Sequence, residues 1–263
     1  MQILEDDGTC IDMLVDGADG DAVVLIHGFP VTREIWDAQS APLARTRRVL
    51  RPDLRGMGAS SVPDGPYLME VLASDVAAAL DACGIERAAL VGHSLGGYVA
   101  LAFARMFSER ITHLALVCSR IAADTPEIAA NRNKTADNIE NLRETPPELS
   151  AYAQRLLAPE TVKNRPEIVA LVRELIGRIK PRGAASILRG MAVRAASDDI
   201  APDLAIPVLM IAGKHDAVLP LEEARAVAQA FPEGRLVVCE KSGHLPMLEE
   251  PERVTEALER FLI

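Results

Sequence analysis

Along the chain, short continuous apolar runs alternate with stretches whose apolar residues recur at helical intervals. Ala22-Val23-Val24-Leu25-Ile26 is apolar at every position, the pattern of a strand covered on both faces. Further strands are predicted at 47–51, 88–91, 114–118, 207–211 and 235–239, and helices around 34–43, 67–83, 95–107, 221–231 and 252–261. Gly84 is placed to cap the second of these helices. Before them, strands at 2–4 and 10–15 flank Asp6-Asp7-Gly8, a turn sequence of the kind that closes a hairpin. Strand and helix in alternation call for a parallel sheet with helices on both sides. From 120 to about 199 the strand pattern lapses, and helical segments punctuated by Pro126, Pro146, Pro147, Pro159, Pro166 and Pro181 take over. The expected organisation is therefore one α/β core, 1–119 and 201–263, interrupted by a helical cap over 120–200.

A length of 263 residues suits one domain with such an insertion, and a hydrophobic content of 49% excludes disorder. The apolar runs are far shorter than the ~20 residues of a bilayer span. The start, Met1-Gln2-Ile3-Leu4-Glu5-Asp6-Asp7, has neither the basic beginning nor the apolar core of a signal peptide, so a cytoplasmic location is expected. Cys10, Cys83, Cys118 and Cys239 lie far apart without C-x-x-C spacing and read as buried free thiols. A net charge of −10 argues against nucleic acid or an anionic membrane as partner. A homodimer stays open.

The most informative stretch is Leu90-Val91-Gly92-His93-Ser94-Leu95-Gly96-Gly97-Tyr98, where a strand ends at a glycine, a serine follows, and a helix begins at once. A serine at the apex of such a turn tends toward positive φ, and its neighbours must be small where strand and helix backbones nearly touch. Gly92 and Gly96 satisfy that condition. A serine hydroxyl is a weak nucleophile at neutral pH, so it needs a base and a group to orient that base. Of the five histidines, His93 adjoins the serine but points away and is read as packed structure. His113 precedes a predicted strand as a surface or helix-end residue, and His27 and His215 sit in turns. His244, in Ser242-Gly243-His244-Leu245-Pro246, follows the last strand at its carboxyl end, where parallel-sheet enzymes carry their chemistry. It is the chosen base. Asp216, in the loop after the preceding strand, is the chosen orienting acid, with helix capping as its alternative role and Asp124 as the fallback acid. The oxyanion formed in acyl transfer needs N–H donors. Leu95 at the helix start and Phe29 in His27-Gly28-Phe29-Pro30 are the candidates.

Taken together, His27-Gly28-Phe29-Pro30, the loop Asp53-Leu54-Arg55-Gly56-Met57-Gly58-Ala59-Ser60, the serine turn, Gly213 to Pro220 and Ser242-Gly243-His244 resemble the α/β-hydrolase superfamily over nearly the whole chain outside the cap. The resemblance implies an eight-stranded, mostly parallel sheet with helices on both faces and a helical cap. Within the superfamily the chain is similar to small bacterial carboxylesterases and enol-lactonases. Cleavage of a small carboxylic ester or lactone through an acyl-enzyme is thereby implied, with Ser94, His244 and Asp216 as the catalytic triad. Haloalkane dehalogenases and epoxide hydrolases of this fold carry an aspartate at the elbow, so Ser94 speaks against both. Cofactor-free perhydrolysis or haloperoxidation, C–C bond hydrolysis, and a ligand-sensing receptor that keeps the triad stay open. No metal-ligand spacing or phosphate loop occurs, and no cofactor is expected.

The cap carries 13 Lys and Arg against 11 Asp and Glu, which leaves 15 against 27 on the rest of the chain. A basic lid over an acidic body hints at an anionic substrate, yet at these counts the charges read better as a solvated helix surface. Tyr152 is the only aromatic residue in this segment. An aliphatic ceiling from Leu156, Leu157, Leu171, Leu175 and Met191 is therefore expected. Trp36, the only tryptophan, is expected to pack the first helix.

Overall fold

In the computed structural model, which describes residues 1–5, 7–17, 20–142 and 147–263, eight strands form one sheet. They are β1 (Gln2–Leu4), β2 (Cys10–Asp16), β3 (Ala22–Ile26), β4 (Arg48–Pro52), β5 (Ala88–His93), β6 (Ile111–Val117), β7 (Val208–Gly213) and β8 (Gly234–Cys239). Asp6 of the predicted hairpin turn, Ala18 and Asp19 ahead of β3, and Pro146 lie outside the described residues. The sheet order is β1-β2-β4-β3-β5-β6-β7-β8. β1 and β2 pair antiparallel, as do β2 and β4, and every other pairing is parallel. All positions of β3, β5 and β7 are buried. That is why their sequences are continuously apolar rather than alternating.

Among the described residues, six helices belong to the alternating part of the chain: α1 (Asp37–Leu43), α2 (Met69–Ala82), α3 (Leu95–Met106), α9 (Leu221–Gln229), α10 (Pro246–Glu249) and α11 (Pro251–Phe261). The other five, α4 (Pro126–Ile139), α5 (Pro147–Arg155), α6 (Pro159–Asn164), α7 (Pro166–Gly177) and α8 (Pro181–Ala192), follow one another between β6 and β7. Each begins on a proline in its first turn, where the missing N–H costs no intrahelical bond. The prolines therefore start these helices rather than break them. Among the described residues no helix is long and apolar enough to cross a membrane.

The order of the strands decides where a site can form. From β3 the sheet continues one way to β4 and the other way to β5, so a crevice opens beyond the carboxyl ends of these two strands. Their register pairs Ile26 with Gly92. The turn beginning at His27 is thereby set beside the serine turn.

Two local expectations need correction. His113 lies inside β6, half-buried with its ring edge-on to Phe261, because that strand starts at Ile111. Only Cys118 and Cys239 are buried thiols; Cys10 and Cys83 are partly exposed. The structure also adds the short helix α10 after His244, whose four residues are too few to show a helical period in the sequence. Trp36 is fully buried in the core, as expected.

Candidate active site

Ser94 stands between β5 and α3 with φ 50° and ψ −111°. A Cβ on Gly92 would lie 2.2 Å from the Gly96 carbonyl oxygen, and one on Gly96 would lie 2.4 Å from that of Ile26. Only glycine lets strand, turn and helix approach this closely. Ser119 supports the turn from behind, its hydroxyl donating to the Ser94 carbonyl at 2.8 Å.

His244 and Asp216 meet across the ends of β8 and β7. The imidazole Nδ1–H donates to Asp216 Oδ2 at 2.7 Å, with both side chains almost wholly buried. That bond assigns the tautomer and leaves Nε2 available to the cavity described below. The other carboxylate oxygen accepts the N–H groups of Val218 and Leu219 at 2.7 and 2.9 Å. These two bonds brace the turn ahead of α9 and do not cap that helix, whose N-cap, Pro220, receives no side-chain bond. Burial alone would raise its carboxyl, but His244 and the two N–H donors hold it below the ordinary carboxylate value. Asp124 is elsewhere engaged, paired with Arg132 and Arg194.

Neighbouring groups fix the histidine loop. The His244 N–H donates to Leu156 O at 2.8 Å, and its carbonyl accepts from His93 Nε2 at 2.8 Å. Burial, reinforced by the adjacent His244, pushes His93 down to about 3, so this imidazole is neutral. Glu249 accepts from Gly243 N, Ala158 N and Thr161 Oγ1 at 2.7, 2.8 and 2.7 Å. Its carboxylate therefore ties the histidine loop to the start of α6, although burial raises its pKa against these bonds. Neither His93 nor Glu249 could be assigned these contacts from sequence. Nothing in a linear pattern brings residue 158 to residue 243.

On the other side, His27 accepts from Leu54 N at 3.0 Å and donates through Nδ1 to Gly28 O at 2.9 Å. The turn that carries Phe29 is thereby locked to the loop of residues 53–60. Among the described residues, neither Phe29 N–H nor Leu95 N–H has a protein acceptor. Both are free donors, Leu95 with the positive end of α3 behind it.

A cavity of about 320 Å³ joins these parts, with Phe29, Ser94, Tyr98 and His244 in its wall. This volume is at the lower end of the roughly 300–1,000 Å³ of small-ligand sites. The expected aliphatic ceiling is not what covers it. Met191 does line it, beside Leu149 and Leu188, but so do Tyr152, Arg120, Arg132 and Arg155. Leu156, Leu157 and Leu175 instead pack in the interior and Leu171 is exposed. Helical periodicity marks apolar positions without saying which of them face a cavity. Cys118 Sγ lies within 4.8 Å of the nearest ligand atoms of Asp216 and His244. Burial and then the Asp216 charge push its thiol well above the ordinary value.

Comparison with known proteins gives the same picture. Residues 21–251 match the sequence profile of the alpha/beta hydrolase fold family. A thermophilic esterase from Thermogutta terrifontis, solved with malate bound, superposes with a TM-score of 0.95 at 37% identity, covering 100% of this chain and 97% of that one. The enol-lactonase from Burkholderia xenovorans LB400 superposes with a TM-score of 0.87 at 28% identity, over 97% of both chains. A 3-oxoadipate enol-lactonase from Acinetobacter baylyi is 30% identical over 93% of this chain and 90% of its own length. With the sheet order, the serine turn and the paired His244 and Asp216 already in place, these likenesses make the chain a member of the alpha/beta hydrolase fold family.

Proposed function

We propose that the protein is a serine hydrolase that cleaves a small carboxylic ester or lactone through an acyl-enzyme. One observation carries the proposal: the buried bond from His244 Nδ1 to Asp216 leaves Nε2 as the available nitrogen on a cavity that Ser94 also lines. Ser94 Oγ attacks the carbonyl carbon while His244 Nε2 takes its proton. The N–H groups of Phe29 and Leu95 hold the oxyanion, and their lack of other acceptors means no internal bond must break first. His244 then passes the proton to the leaving oxygen, which in a lactone stays attached as a hydroxyl on the acyl chain. Water, activated by the same imidazole, releases the acid. Asp216 keeps His244 in the required tautomer and stabilises the imidazolium formed at each step. The esterase and lactonase relatives favour this substrate chemistry.

Replacing Ser94 by Ala tests the mechanism. Hydrolysis of p-nitrophenyl acetate should disappear, as should labelling by a fluorophosphonate, while the thermal midpoint stays within about 2 °C. Turnover retained by the variant would remove Ser94 from the mechanism.

A further inference from the structure

The helices over the site place more positive charge on the cavity than its neighbours offset. Three arginines line it, and among the described residues no Asp or Glu does. Arg120 is paired with Glu223 through Nε at 2.8 Å, so its charge is met outside the cavity. Arg132 on α4 is bonded through Nε to Asp124, and the same buried carboxylate binds Arg194 at 2.6 Å. One carboxylate between two guanidiniums leaves one positive charge over. Among the described residues the Nη1 of Arg132 meets only the Met191 sulfur at 3.5 Å, a weak acceptor that a carboxylate oxygen would displace. Arg155 on α5 has no carboxylate partner among the described residues, and its guanidinium stands 5.8 Å from the centre of the Tyr152 ring. Asn131 and Thr135, on the same helix as Arg132, add polar groups to this wall. One guanidinium is braced by a buried acid, the other rests against an aromatic ring, and among the described residues no carboxylate faces either of them from the cavity wall.

We propose that Arg132 and Arg155 form a subsite for a free carboxylate on the substrate, so that the protein selects acidic esters and lactones over neutral ones of the same size. This rests on the hydrolase reading for the bond cleaved but not for the recognition itself. A guanidinium offers paired donors matched to the two oxygens of a carboxylate. In a cavity this small the acid group would be held at the helical wall while the ester carbonyl reaches Ser94.

Monomethyl glutarate and methyl pentanoate are a matched pair for the test, the second having a methyl group where the first has its free carboxylate. Calorimetric binding to the Ser94→Ala protein reads recognition without turnover. The acidic ester should bind about 10-fold tighter or more. Arg155→Ala, an exposed substitution, should abolish most of that preference without weakening methyl pentanoate, and Arg155→Lys should recover part of it. In the active protein the loss should appear in KM for the acidic ester, with kcat little changed. Arg132→Lys should weaken the preference further when added to Arg155→Ala. Equal binding of the two esters, or a preference that survives Arg155→Ala intact, overturns the subsite. Fluorophosphonate labelling keeps the two proposals apart. If Ser94 fails to react while the binding preference holds, the hydrolase proposal is lost and the subsite stands; if Ser94 reacts and the esters bind equally, the reverse is true.

Discussion

His93 adjoins Ser94 in the chain and lies buried, and its neutrality bears on the fold. Its folded-state value of about 3 lies far below the ordinary 6.5. Between those values an unfolded chain binds a proton at this position and the folded one does not. Stability is therefore fully present above the unfolded value and falls as the pH drops through the window, by about 1.4 kcal/mol per unit. His93→Gln removes the titration while keeping a donor for the His244 carbonyl. Urea melts at about pH 6 and about pH 4 should then show the parent losing roughly 2–3 kcal/mol more than the variant. Parallel losses in the two proteins would mean that His93 does not carry this acid sensitivity. The same ring shows how far a sequence reading reaches. Its packed role followed from the turn geometry, whereas the bond to the His244 carbonyl depends on a loop 151 residues away.

The loop after β8 and the helices α5 and α6 act as one element. Leu156 O takes the His244 N–H, and Glu249 joins Gly243 to Ala158 and Thr161. A Cβ on Gly243 would lie 2.7 Å from Ala158 N, so the two segments pack backbone to backbone. Glu249→Ala leaves two buried N–H groups and a hydroxyl without their acceptor, at a cost of about 3 kcal/mol. In a chain of this size that corresponds to a thermal midpoint lowered by about 5–10 °C. Ester hydrolysis should also fall by about 10-fold or more, because a catalytic group displaced by a fraction of an ångström loses its alignment. An unchanged midpoint and rate would show that Glu249 does not staple the loop. Strand ends and the glycine turn were legible in the chain because each depends on near neighbours, whereas Asp216 and His244 were picked out by their places after strands and by the family resemblance. Glu249 was not, since the first of two adjacent Glu residues ahead of Pro251 has no local signature.

Across the whole molecule, the helices between β6 and β7 are tied to the sheet-bearing part at several separated points. Lys180 Nζ donates to Ser60 O at 2.9 Å, Tyr67 N donates to Ser186 O at 3.1 Å, and Arg105 is paired with Asp199. A Cβ on Gly183 would meet Gly56 O at 2.1 Å, and one on Gly190 would meet Tyr67 O at 1.7 Å. Contacts this close leave little room for the two parts to open separately. Trp36 reports only on the core, whereas far-ultraviolet circular dichroism reports on every helix. The two signals should trace a single urea transition. Dichroism lost ahead of the Trp36 change would show the helical segment unfolding on its own.

Architecture and triad candidates were determined by the chain alone. Strand runs, helical periods and glycines around a serine are short-range patterns, and their physical causes, burial of apolar faces and backbone clearance, act over a few residues. The character of the cavity was decided by tertiary structure. Whether Leu171 or Arg155 faces the cavity depends on how five helices rotate and dock over the sheet, and whether a charge is free depends on partners such as Asp124 and Glu223, which only folding brings near.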